Sequence, residues 1–271
     1  MIIRKTYLVL KKWQSIMKSY FFDNSAESHT YVTSDLHAFP FDETPFSGSI
    51  EHLLKITRFS KKDKLYILGD IIDRGNDVLS ALRFIMNHKG NVFVILGNHE
   101  KMLLDCKFMF EPELKDPDTL SGSELARFKL WMFNGGRSTY NALRTISRNE
   151  RQRIFEYFSS CPTYIEITVK GIQYILVHSG LGSFSPEKEL HEYSEDELLW
   201  SRPTMSDRYY FKERNKYVVF GHTPVQLLGA ADNAPIINLE GGWIDIDTGS
   251  ALGYGPVFLR LEDLRVFYPF Q

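Results

Sequence analysis

Lys64-Leu-Tyr-Ile-Leu-Gly-Asp-Ile-Ile-Asp-Arg-Gly75 runs from an apolar stretch straight into two acids and an arginine. A segment this short and apolar reads as a buried strand, and a buried strand that ends in charge needs something to bind that charge. The ending recurs. Tyr31-Val-Thr-Ser-Asp35, Leu65-Tyr-Ile-Leu-Gly-Asp70, Val92-Phe-Val-Ile-Leu-Gly-Asn98, Tyr174-Ile-Leu-Val-His178 and Tyr217-Val-Val-Phe-Gly-His222 each finish in a residue that can ligate a metal. Segments 48–59 and 76–88, between the first three, are helix-compatible. The alternation reads as an α/β sheet with right-handed crossovers. Ligands of such open sheets bind beyond the carboxyl ends of the strands, so all five endings converge on one edge.

Alone, each ending is ordinary turn or helix-cap chemistry. Five together are not, and Asp35-Leu-His37 adds an imidazole beside the first acid. His37, His99, His178 and His222 fall in these endings, whereas His29, His52, His88 and His191 read as surface or packing residues. Asp35, His37, Asp70, Asn98, His178 and His222 make too many ligands for one tetrahedral ion and include no thiolate for a structural zinc site. Mixed oxygen and nitrogen donors suit a pair of borderline divalent ions, manganese first, with iron or zinc as alternatives. Two ions about 3.5–4 Å apart need a shared ligand, which one of the strand-end aspartates can supply. A water held between them loses its proton near neutral pH.

Composition narrows the classes. A net charge of −2 gives no electrostatic case for nucleic acid. Cys106 and Cys161 stand far apart without a CxxC pattern, which fits free thiols in a reduced, cytoplasmic setting. Residues 1–28 read as a basic amphipathic arm, with Arg4, Lys5, Lys11, Lys12 and Lys18 and no acid before Asp23. Its longest apolar run, Tyr7 to Leu10, is too short for a signal peptide or a membrane span. Docking on a surface or a partner is one use for the arm; packing on its own domain is the other.

Ser34-Asp-Leu-His37, Gly69-Asp-Ile-Ile-Asp-Arg-Gly75, Gly97-Asn-His-Glu100, His178-Ser-Gly180 and Gly221-His222 resemble the GDxHG, GDxxDRG, GNHE, HxG and GH motifs of the PPP-type metallophosphatases. These are the serine/threonine protein phosphatase branch of the calcineurin-like superfamily. Trp131-Met-Phe-Asn-Gly-Gly136, Leu198-Leu-Trp-Ser-Arg202 and Ile244-Asp-Ile-Asp-Thr-Gly249 resemble its bacterial members. The resemblance implies that Asp35 and His37 hold a first ion, Asp70 bridges, and Asn98, His178 and His222 hold a second. It makes His99 the general acid, oriented by Asp73, and Arg74 the phosphate clamp, with Arg202 a second clamp and Asn98 also touching substrate. It implies a phosphoprotein phosphatase in which a metal-bridging hydroxide attacks phosphoserine or phosphothreonine monoesters directly, phosphotyrosine being a further candidate. The alternatives are a symmetrical dinucleoside-tetraphosphate hydrolase and a non-enzymatic metal-binding docking protein.

The first motif departs from the pattern, with Ser34 and Ala38 in place of glycines. Ala38 is awkward if its backbone is left-handed, at about 1 kcal/mol. Glu100 reads as a first-turn helix residue favoured by the dipole, and Asp247 as structural. Residues 105–160 interrupt the strand series. Ser121-Gly-Ser-Glu124 and Ser147-Arg-Asn-Glu150 have capping-box spacing, Gly135-Gly136 ends the first helix, and Pro162 follows the second. The expectation is one domain over 29–271, with 105–160 inserted as a helical cap over the cleft. A hairpin about Lys170-Gly171 and strands near 236–247 and 256–268 complete a second sheet. The resemblance likewise implies a layered α-β-β-α sandwich of two mixed sheets.

Overall fold

A computed structural model describes residues 28–39, 50–111, 113–211, 215–230 and 232–269. The expected basic arm lies, but for its last residue, outside them. Strands β1 (Thr30–Thr33), β2 (Lys64–Ile67) and β3 (Val92–Val94) alternate with helices α1 (Ile50–Ile56), α2 (Val78–Asn87) and α3 (Asn98–Asp105). Helices α4 (Gly122–Phe133), α5 (Arg137–Arg144) and α6 (Arg148–Ser159) follow. Then come β4 (Tyr164–Val169), β5 (Ile172–Val177), the short α7 (Glu195–Leu199), β6 (Lys216–Phe220), β7 (Ile236–Asn238), β8 (Trp243–Asp245), β9 (Phe258–Arg260) and β10 (Arg265–Phe267).

Two mixed five-stranded sheets result, ordered β10-β9-β1-β2-β3 and β4-β5-β6-β8-β7. The expected α/β sandwich of two mixed sheets is therefore the fold. β1, β2 and β3 are parallel, with Thr33 opposite Ile67 and Ile67 opposite Val94, so the chain leaves all three strands at one edge. β5 and β6 are also parallel, Leu176 facing Val219. The predicted hairpin joins β4 to β5, with Lys170 and Gly171 at φ 49° and 78°, the paired left-handed residues of a tight antiparallel turn.

The apolar runs are continuous because both faces of these strands are buried. Tyr31, Leu65 and Ile67 point outward into a core shared with Leu82, Trp131, Phe155 and Phe158 of the helices. Val32, Tyr66 and Leu68 point the other way and meet Tyr174, Leu176 and Val219 between the sheets. Ile175, Val177, Val218 and Phe220 face outward from the second sheet. Loop residues Leu181, Tyr193 and Tyr209, with Leu198 of α7, cover them, so this outer layer holds little helix.

Residues 105–160 hold three α-helices rather than two. Ser121 opens α4 with a reciprocal box: its Oγ accepts from Glu124 N–H at 3.4 Å, and Glu124 Oε2 accepts from Ser121 N–H at 2.9 Å. Ser147 Oγ accepts from Glu150 N–H at 3.2 Å and opens α6. Gly135, at φ 99°, ends α4 as its sequence suggests, but α5 begins two residues later. The glycine pair is a corner between helices, not the start of a long loop. This corner and the side chains of Trp131 and Thr139 meet the strand-end residues Asp73 and Arg74.

Candidate active site

The strand ends meet at the seam between the sheets. Asp35, His37, Asp70, Asn98, His178 and His222 are all buried there, none more than 7% exposed. Candidate ligand atoms of His37, Asp70 and His99 lie within 4.8 Å of one another, as do those of Asp70, His178 and His222. Asp70 is common to both groups. Its Oδ2 stands 3.7 Å from His37 Nε2 and 3.7 Å from His99 Nε2, and its Oδ1 3.4 Å from His178 Nε2. Asp35 stands beside these groups rather than within them, its Oδ2 accepting from His222 N–H at 2.9 Å. His99, expected to stay off the metal, falls inside the first group.

Each imidazole is oriented from behind. His37 Nδ1 donates to Ile72 O at 3.1 Å and His178 Nδ1 to Leu68 O at 2.7 Å, which leaves their Nε2 lone pairs facing inward. Asn98 turns its amide oxygen to 2.8 Å from His178 Nε2. The same oxygen position is 3.1 Å from His222 Nδ1 and 3.2 Å from each Asp70 carboxylate oxygen. Lone pairs so crowded repel unless the amide turns its NH2 inward or a cation sits among them. Burial holds His178 at about 3 and also takes His37 and His222 well below the ordinary histidine value, so all three stay neutral donors. Burial pushes Asp35 and Asp70 upward, and the buried Asp247 adds its charge to Asp35. This donor set fits divalent cations: neutral nitrogens, carboxylates and an amide oxygen, with more buried acid than base.

Backbone strain concentrates at the same place. Among the described residues eleven non-glycine residues have positive φ, and seven of them are Asp35, His37, Ala38, Asp70, Asp73, Arg74 and His222. Such conformations cost about 1–3 kcal/mol each and persist where surrounding contacts over-determine them. Ala38, at φ 50°, occupies the left-handed conformation that made its replacement of glycine awkward.

Glu100 supplies much of that over-determination. It is the first-turn helix residue expected, and it is also fully buried. Its Oε2 accepts from Asp70 N–H at 2.8 Å and Gly97 N–H at 3.1 Å, and its Oε1 from Ile71 N–H at 2.8 Å and Ile72 N–H at 3.3 Å. Burial raises its carboxyl to about 7 despite these donors. Gly97 allows the approach, since a Cβ there would lie 2.3 Å from Asp70 Oδ1. Glu100→Ala should cost about 3–5 kcal/mol, because four buried N–H groups lose their acceptor together. A urea titration of metal-free protein would measure it, and a midpoint equal to wild type would remove Glu100 from this role.

Beside the cage, His99 Nδ1 donates to Asp73 Oδ2 at 2.8 Å. The carboxylate raises the imidazole's proton affinity, but burial acts more strongly, so His99 lies below its ordinary value and is not held protonated by Asp73 alone. Arg74 reaches in from the rim, Nη1 at 2.9 Å from His37 Nε2 and Nη2 at 3.1 Å from His99 Nε2. A cleft of ≈ 550 Å³ opens there, lined by His37, Phe39, Arg74 and Asn76 among others. Arg202 stands on the far side, Nη1 donating to Thr223 Oγ1 at 3.3 Å and His222 O at 3.4 Å. Behind Asp35, Asp245 and Asp247 are buried, and burial holds Asp247 at about 6. Cys106 and Cys161 are free thiols whose burial pushes each to about 12, too high for a nucleophilic thiolate at neutral pH.

Paired mixed sheets with a buried His/Asp cage at their edge are the architecture of a metallophosphoesterase. The chain belongs to the family described as Calcineurin-like phosphoesterase, whose sequence profile matches residues 28–226, and is a hydrolase of that superfamily. It is 23% identical over 202 residues to "Serine/threonine-protein phosphatase 1" of Salmonella typhimurium, covering 73% of this chain and 80% of that one. It is 40% identical over 93 residues to "Bis(5'-nucleosyl)-tetraphosphatase, symmetrical" of Actinobacillus succinogenes, over 34% of this chain and 31% of that relative's length. A solved structure provisionally named a diadenosine tetraphosphatase superposes with a TM-score of 0.58 at 16% identity, covering 90% and 94% of the two chains. Among the described residues no helix is long and apolar enough to cross a membrane.

Proposed function

We propose that the chain is a phosphoprotein phosphatase acting on phosphoserine and phosphothreonine, with two divalent ions, manganese foremost. The observation that carries the hydrolytic reading is Asp70, common to two ligand groups and adjoining the His99–Asp73 dyad. Asp35 and His37 would hold one ion, Asn98, His178 and His222 the other, with Asp70 between. Ions held there supply an acidified water and neutralise charge on the phosphoryl oxygens.

The remaining work falls to the chain's own side chains. Arg74 would exchange its contacts with His37 Nε2 and His99 Nε2 for two phosphoryl oxygens, which its planar fork suits, once His37 served as a ligand and His99 carried its proton. Arg202 meets the phosphate from the opposite rim. A dianionic ester in the cleft adds negative charge beside His99 and raises an imidazole that burial had lowered. His99 Nε2 then delivers a proton to the departing alkoxide while Asp73 holds Nδ1. The two thiols, Cys106 buried and Cys161 half-buried, leave the route without a cysteinyl-phosphate step.

The protein substrate is favoured by the phosphatase relative, whose match runs along most of both chains. Hydrolysis of symmetrical dinucleoside tetraphosphates is the second reading, favoured by the 40% local identity. With manganese, a phosphoserine peptide should be cleaved with a higher kcat/KM than diadenosine tetraphosphate. The reverse order would transfer the assignment to the nucleotide, and turnover of neither, with metal bound, would leave a docking protein.

A further inference from the structure

Asp73 Oδ2 accepts two hydrogen bonds: one from His99 Nδ1 and one from Trp131 Nε1, at 2.9 Å. The indole is fully buried, and Thr139 Oγ1, also buried, accepts Asp73 N–H at 3.0 Å. Arg74 N–H donates to Gly135 O at 3.0 Å. Each glycine of the corner has a steric reason. A Cβ on Gly136 would lie 2.5 Å from Trp131 Nε1, and one on Gly135 2.7 Å from Arg74 Cγ. The α4–α5 corner is thus fitted against Asp73 and Arg74, both of which are left-handed, at φ 69° and 67°. Trp131 also meets Phe110, Phe128 and Tyr140 edge-on, a contact set that core packing alone would explain. The polar end of the ring goes beyond packing, because it donates to the same Asp73 oxygen that His99 meets and so sets the rotation of that carboxylate.

We propose that Trp131 is a positioning residue for proton delivery: its indole N–H fixes the Asp73 carboxylate, while Thr139 holds the Asp73 backbone N–H, so that His99 turns Nε2 into the cleft. The inference rests on the phosphoester-hydrolase reading and deepens it. It makes Trp131 matter in proportion to how much the leaving group needs a proton. A serine alkoxide leaves poorly without one, whereas p-nitrophenolate leaves unaided.

Trp131→Phe keeps most of the buried ring and deletes the N–H. With manganese it should lower kcat on phosphoserine by about 10–100-fold, the size of one lost hydrogen bond to a charged group. KM should hold, and kcat on p-nitrophenyl phosphate should change little. Trp243→Phe, which deletes an equally buried indole that donates to Asp207 O at 3.0 Å away from the cage, should leave the ratio of the two substrates at its wild-type value. In an Asp73→Asn background Trp131→Phe should add no further loss. Equal losses on both substrates, or full additivity with Asp73→Asn, would reduce Trp131 to core packing.

Should the variant not fold, the metal-free wild type carries the test. One of the four indole N–H signals in a nitrogen-15 spectrum should shift in Asp73→Asn. If none moves, the contact is absent. Should the wild type hydrolyse neither ester, the hydrolase reading fails while the indole signal still decides the contact.

Discussion

His99→Asn should cut kcat on a phosphoserine peptide by roughly 10²–10⁴-fold, the usual contribution of a general acid, while both metal ions remain. The substitution removes the imidazole that meets Asp73 through Nδ1 and Arg74 through Nε2. It keeps the backbone N–H that donates to Asp70 Oδ1 at 3.1 Å, so the cage retains that support. Metal content is the deciding readout, since His99 also stands within ligand distance of His37 and Asp70. Two ions per chain with lost turnover assign the proton-donor role. One ion per chain would make His99 a ligand instead and leave the acid to be found elsewhere. Loss on p-nitrophenyl phosphate should be much smaller, because that leaving group needs no proton.

Asp70→Asn should do more damage, and of another kind. Asp70 is the one carboxylate shared by both ligand groups, and an amide offers a single neutral oxygen where two anionic ones stood. Bound metal should fall from two ions to at most one, with a loss of turnover at least as large as that of His99→Asn on every phosphoester, p-nitrophenyl phosphate included. Elemental analysis after gel filtration and kcat on both substrates check it. A variant that still held two ions would show that Asp70 is not the bridge.

The strand ends could be read in advance because their signal is local: a four- to six-residue apolar run, then a polar residue, repeated five times. Parallel pairing then brings Asp35, Asp70 and Asn98 to one edge without further information. Glu100 was placed correctly in the first helical turn, but its use was not legible, because that setting is the same for a solvated acid and a buried one. Its partners Asp70, Ile71 and Ile72 are about thirty residues away in the chain, and nothing near Glu100 announces them. Trp131 was noticed for its surroundings but not for its use, since aromatic residues at helical spacing ordinarily mean core. α5 was missed because a glycine pair ends one helix whether or not another begins at once. The protonation of His99 depends on how burial and Asp73 compete, a balance that exists only once the chain has folded.

The second ligand group also has a mechanical meaning. Asp70 and Asn98 follow strands of one sheet and His178 and His222 strands of the other, so an ion held by all four would rivet the layers across their seam. Saturating such a site at about a hundred times its Kd adds about 2.7 kcal/mol to the folded state. That tightening would fall on the joint between the sheets, where Leu68 and Leu176 pack together and His178 Nδ1 donates to Leu68 O at 2.7 Å. Chelation would then loosen a hinge line rather than a pocket.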